Sequence, residues 1–115
     1  MTPTLEQMEL AARAAGIEWF AFDLETQGLM RTQIPPALWN PLTSGDDSQR
    51  LQAKLRMSLD YQKVGGKHRW LAVCRQSAWE STTKAICFNP AIPDDDLRAM
   101  KEAIFLVAVE VGRAK

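Results

Sequence analysis

The thiol and imidazole side chains that most often carry nucleophilic, proton-transfer or transition-metal chemistry number three in this sequence: His68, Cys74 and Cys87. A structural zinc site takes about four Cys or His ligands, and no CxxC or HxxxH spacing is present, so no metal is expected. Strand alternation would put residues 68, 70, 72 and 74 on one face, which allows a Cys–His pair, but no third residue to orient the imidazole is identifiable. His68, within Gly65-Gly66-Lys67-His68-Arg69, reads instead as a histidine of a surface turn. A hairpin turning near Ser77 and Ala78 would set Cys74 opposite a residue near Ser81, several rungs from Cys87. The two cysteines are therefore expected as free, buried thiols in a reducing compartment. The run Asp94-Asp95-Asp96 could attract Mg²⁺, but it follows Pro93 and precedes an apolar-periodic segment. Carboxylates at that place cap orphan N–H groups and complement the helix dipole. No GxxxxGKS/T, GxGxxG, HExxH, GxSxG or EF-hand spacing occurs, so no catalytic residue and no cofactor is assigned and a non-enzyme is expected.

The elements that would position functional side chains belong to one small domain, residues 1–115. At 115 residues the chain can bury a single core and is too short for two. Fourteen Lys and Arg balance fourteen Asp and Glu, with 46% apolar and 24% charged residues. Such a composition excludes disordered, collagenous and fibrous classes. The longest apolar run, Ile104 to Val109, falls far short of the roughly 20 residues that span a bilayer. The N-terminus carries no basic-then-apolar leader, so a cytoplasmic protein with no membrane partner is expected.

Thr4 with Gln7 makes a capping-box pattern, Leu5, Met8, Ala12 and Ala15 make an apolar stripe, and Gly16 stops it, which predicts a helix over 4–15. Ile17 to Leu24 reads as a strand, Thr26-Gln27-Gly28 as a turn and Leu29 to Ile34 as a second strand. Prolines at 35, 36 and 41 make Pro35 to Leu42 an ordered loop anchored by Trp39. Thr43 or Ser44 caps a second helix with Asp46 and Asp47 in its first turn and Leu51, Leu55 and Leu59 at four-residue spacing, widened by Ala53 and Met57. Asp60 to Val64, Lys67 to Arg75 and Glu80 to Phe88 follow as strands, the first two joined at Gly65-Gly66. Asp95 to Arg113 is the last helix, its stripe of Leu97, Met100, Ile104, Val107 and Val111 packing on the sheet. The fold expected is α+β: an antiparallel sheet of about four to five strands with three helices mostly on one face. Phe105, Leu106 and Val109 fall off the main stripe. The last helix is therefore either buried on two sides or offers a surface to another molecule, a homodimer included.

Charge is balanced in sum but not in distribution. Residues 1–49 carry two basic and seven acidic side chains, and residues 50–75 carry seven basic and one acidic. The basic set, Arg50, Lys54, Arg56, Lys63, Lys67, Arg69 and Arg75 with Trp70 among them, has a composition that suits a phosphate backbone. Against that stand a sequence pI of about 6.6 and the lack of any RRM, KH or helix-turn-helix signature. Arg50 and Lys54 lie one helical turn apart and can equally form a solvated face pairing with Asp46 and Asp47. Four tryptophans, Trp19, Trp39, Trp70 and Trp79, are many for this length. Trp39, in the proline-rich loop, is either a plug into the core or an interface anchor.

The segment Trp39-Asn40-Pro41-Leu42-Thr43-Ser44-Gly45-Asp46-Asp47, the Leu51 and Leu55 helix after it, and the closing Ala108-Val109-Glu110-Val111-Gly112-Arg113-Ala114 resemble a group of small proteins encoded by tailed bacteriophages and prophages. The resemblance covers about half the chain. It departs from the group's pattern at Ser44 to Asp47, where the order of acidic residues and glycine differs, and at the longer basic hairpin near Gly65-Gly66. It implies a phage or prophage context, hence a bacterial host cytoplasm, and supplies no catalytic residues. By association, small phage accessory proteins of this kind act by occluding or redirecting a larger host or phage complex, inhibitors of bacterial defence such as anti-CRISPR proteins among them. The expected function is thus protein–protein binding to a host or phage partner, with nucleic-acid binding through residues 50–75 as the alternative. Candidate contact residues are Trp39, Arg50, Lys54, Lys67, Arg69, Phe105 and Val109.

Overall fold

The computed structural model describes residues 2–64, 66–75, 84–90 and 96–113. Helix α1 (Leu5–Ala15) starts and stops on local chemistry. The Thr4 hydroxyl accepts from the Gln7 N–H at 3.1 Å, the Gln7 side chain accepts from the Thr4 N–H at 3.0 Å, and Gly16 closes the helix at φ 70. Strands β1 (Trp19–Phe22), β2 (Leu29–Arg31) and β3 (Leu38–Trp39) then form an antiparallel sheet in that order. All three are short. The last cross-strand bonds of β2 run from Arg31 N–H to Ala37 and from Thr32 N–H to Glu18, and the chain turns away before Ile34, where the sequence predicted continued strand. The stretch read as pure loop holds β3. It lies at the sheet edge, where one side of the backbone needs no partner, so Pro36 and Pro41 can flank it.

Helix α2 (Gly45–Lys54) is capped by Ser44, whose hydroxyl accepts from the Asp47 N–H at 3.2 Å. It ends sooner than the Leu51, Leu55, Leu59 spacing predicts. Leu55 is its cap, Arg56 adopts φ 50, and β4 (Met57–Val64) begins at once. A spacing of four fits one helical turn and two strand repeats alike, so those leucines could not decide between them. Exposed Ser58 and Asp60 alternating with buried Met57 and half-buried Leu59 show the period of two. β4 pairs along its whole length with β5 (Lys67–Arg75), from Met57 opposite Cys74 to Val64 opposite Lys67. β6 (Lys84–Pro90) completes a second antiparallel sheet, with Cys74 opposite Ala85 rather than a residue near Ser81. The predicted turn at Ser77 and Ala78, Trp79, and the caps at Asp94 and Asp95 lie outside the described residues. Where one sheet was expected there are thus two of three strands each among the described residues. The two-residue β3 and the intervening α2 leave no ladder between them.

Helix α3 (Asp96–Arg113) packs against β5 and β6, α1 and α2. Its buried positions are consecutive from Glu102 to Phe105 and from Val107 to Val109, more than one stripe can hold. The surface read as a possible homodimer face is therefore consumed within the chain. Leu97, expected on the sheet, is 71% exposed, and with Met100 and Ile104 it lines a groove beside α2. At Gly112 the α1 backbone comes so close that an added Cβ would fall on the Leu10 carbonyl. No helix among the described residues is long and apolar enough to cross a membrane.

Candidate functional site

Strand geometry separates the residues that could do covalent chemistry. At about 3.3 Å per residue, six residues along β5 put the backbones of His68 and Cys74 roughly 20 Å apart, so they do not form a nucleophile pair. Cys87 lies opposite Ala72, two rungs from the Cys74–Ala85 pair. Cys74 is 1% exposed, and its thiol donates to the Leu55 carbonyl at 3.1 Å. The side chains of His68 and Cys87 lie outside the described residues. Among the described residues, no three His, Cys, Asp or Glu side chains come together as a metal-binding group.

The structure instead assembles a charged cleft of about 310 Å³ where the C-terminus of α1, the first sheet and α2 meet. Each wall follows from a local cause. The left-handed Gly16 returns the chain so that Ile17 donates to the Ala12 carbonyl at 2.9 Å, which places Ile17 at the rim. β2 ends on Arg31 and β3 on Trp39, with Leu29 opposite Trp39 in the ladder. The Ser44 cap orients α2 so that Asp47, Arg50, Leu51 and Lys54 line the opposite wall. Trp39 and Leu51, each 2% exposed, form the apolar floor.

Three cations, Arg31 from β2 and Arg50 and Lys54 from α2, line this cleft with one carboxylate, Asp47. The Asp47 carboxylate is already engaged, accepting from the Asn40 N–H at 2.9 Å. Arg50 pairs with Asp46 at 2.9 Å, but the two side chains are 73% and 70% exposed. A pair that exposed contributes at most about 1 kcal/mol, so an incoming carboxylate or phosphate can take Asp46's place at small cost. The C-terminal end of α1 borders the cleft, and the negative end of a helix dipole favours cations there. The described lining offers no thiol, imidazole or hydroxyl, and what it can do is bind anionic groups against an apolar floor.

A second cleft, about 330 Å³, lies between the Thr26-Gln27 turn, Asn40 and Arg98 to Glu102. Its polar groups serve the fold. Asn40 donates to the Thr26 carbonyl at 2.9 Å and accepts from the Leu42 N–H at 3.0 Å, while Arg98 and Glu102 pair at 3.7 Å.

Of the seven predicted contact residues, Trp39, Arg50 and Lys54 come together in the first cleft. Trp39 enters it as floor, 2% exposed, the core plug of the two readings and not the exposed anchor: its indole faces the core because Leu29 and Phe22 share that side of the sheet. Phe105 and Val109, 0% and 2% exposed, are core residues and not surface. Lys67 and Arg69 lie opposite Val64 and Gln62 at the far end of the β4–β5 hairpin. That end is seven residues, roughly 23 Å, along β4 from Met57, so the basic segment is split between two places. Arg31 was missed, because no motif surrounds it and only the β2 ladder brings it to α2. Compared with protein-family models and with curated proteins, the sequence matches none.

Proposed function

We propose that the protein is a non-enzymatic, phage- or prophage-type binding module that docks an acidic segment of a host or phage protein and so occludes or redirects the larger complex. The observation that supports it is the cleft, in which Arg31, Arg50 and Lys54 surround a rigid apolar floor. Forked guanidinium donors suit carboxylates, and a complementary field speeds and orients association. The resemblance in residues 39–55 and 108–114 supplies the phage context, and a bacterial cytoplasm is where such a partner would be met. A nucleic-acid partner is the second reading, favoured by Lys63, Lys67 and Arg69 around one hairpin turn.

The test is capture of partners from bacterial lysate on the tagged full chain, with and without nuclease, for wild type and for Arg50→Glu/Lys54→Glu. The expected result is a nuclease-resistant protein whose recovery falls at least about tenfold on the double reversal. Retention of nucleic acid alone, released steeply by salt as counterion release requires, would favour the second reading. A partner indifferent to both reversals would overturn the role of the cleft.

A further inference from the structure

The α2 side of the cationic cleft presents its charges at a fixed spacing. Arg50 and Lys54 are four residues apart on one helix, and both line the cleft. Four residues at a rise of 1.5 Å set them one turn, about 6 Å, apart along the axis. Leu51, 2% exposed, belongs to the floor beside them. Arg50 already holds a carboxylate, with its Nε 2.9 Å from Asp46 Oδ2, and Asp46 is outside the cleft lining. Lys54 is exposed and makes no ion pair with a described residue. Arg31, Arg50 and Lys54 against Asp47 leave the lining with an excess of two positive charges, which two carboxylates neutralise.

The sheet side of the cleft is mixed. Half-buried Ile17 and buried Trp39 are apolar, and half-buried Arg31 ends β2. Carboxylates at the spacing of Arg50 and Lys54 stand two residues apart in an extended chain, at about 6.6 Å, or four residues apart in a helix, at about 6 Å. The five helical residues, about 10 Å across and 7.5 Å long, fill roughly 600 Å³. The cleft holds about 310 Å³, which favours the narrower extended form. In an extended chain the residue between the two carboxylates points the other way, toward the sheet side.

We propose, resting on the binding function above, that the cleft reads an extended acidic–apolar–acidic triplet of the partner protein. One carboxylate meets Arg50, the second meets Lys54, and the middle side chain packs on Ile17 and Trp39. Arg31 donates to the backbone carbonyls of the triplet. Arg50 releases Asp46 on binding, an exchange of one exposed carboxylate for another. Spacing then sets specificity, because the carboxylates of an extended Glu-Leu-Leu-Glu leave opposite faces and only one of them reaches α2.

Fluorescence anisotropy of dye-labelled peptides with blocked ends and flanking glycines, titrated with the full chain, tests it. Glu-Leu-Glu is expected to bind at least about tenfold tighter than Glu-Leu-Leu-Glu, Glu-Gly-Glu or Gln-Leu-Gln. Arg50→Glu and Lys54→Glu, their folds checked by circular dichroism, each weaken Glu-Leu-Glu at least about tenfold, and the double variant binds Lys-Leu-Lys in its place. Equal binding of Glu-Leu-Glu and Glu-Leu-Leu-Glu overturns the triplet. So does tighter binding of a helical peptide with glutamates four residues apart, or no binding of Glu-Leu-Glu at chain concentrations up to about 1 mM. Lysate capture run beside the titrations separates the two claims. A captured protein that depends on Arg50 and Lys54, without a preference for the triplet, overturns only this inference. A preference for the triplet, with a captured protein indifferent to both residues, overturns the function proposed above and leaves the triplet site.

Discussion

Replacing Gly112 by Ala sets two effects against each other. In an isolated helix alanine is favoured over glycine by about 1 kcal/mol. In this protein the new methyl group would fall on the Leu10 carbonyl, with the Leu10 Cα only 3.1 Å away, and neither atom can rotate aside as a side chain would. Helices α1 and α3 must then part by about an ångström, a gap at which an atom pair forfeits roughly a quarter to a half of its dispersion energy. That loss spreads over the α1–α3 layer, where Met8, Ala11, Ala12, Phe105 and Ala108 are all 0% exposed. Overpacking costs about 1–3 kcal/mol as a rule, occasionally more. A clash with backbone belongs at the upper end, and subtracting the helix-propensity gain leaves an expected net loss of about 2 kcal/mol. Gly45 is the control, because nothing lies within 4 Å of a Cβ built at the first residue of α2. Gly45→Ala should be neutral or stabilising by up to about 1 kcal/mol. Urea unfolding followed by tryptophan fluorescence measures both, at unchanged denaturant slope. A Gly112→Ala variant as stable as wild type would refute the close helix crossing.

Ser48 and Trp39 give two further tests of stability. The Ser48 hydroxyl is buried with no hydrogen-bond partner among the described residues. Ser48→Ala removes an unsatisfied group that costs about 1–3 kcal/mol, so the melting temperature should rise by several degrees, and a fall would show that the hydroxyl is satisfied in solution. Trp39→Ala empties the cleft floor and should cost about 3–5 kcal/mol. Arg50→Glu/Lys54→Glu should leave stability within about 1 kcal/mol. Equal losses for the two variants would contradict the division between floor and charged rim.

What the amino-acid sequence determined by itself are the features whose causes are local. The Thr4–Gln7 box, the Ser44 cap, the left-handed Gly16 and the turn glycine Gly66 act within a few residues, so α1, the start of α2 and the β4–β5 hairpin were legible. The few thiol and imidazole groups bounded the covalent chemistry in the same direct way. Tertiary structure decided whatever depends on what lies opposite. Leucines spaced by four satisfy helix and strand alike, and the ladder from Met57 to Val64 settled that ambiguity. Whether Trp39, Phe105 and Val109 were core or contact turned on whether another part of the chain covers them, and the sheet's inner face and α1 do. The cleft itself is a tertiary product. Arg31 is unremarkable in sequence and becomes part of a site only because β2 carries it to α2, since electrostatic fields add over distance in space and not over distance along the chain.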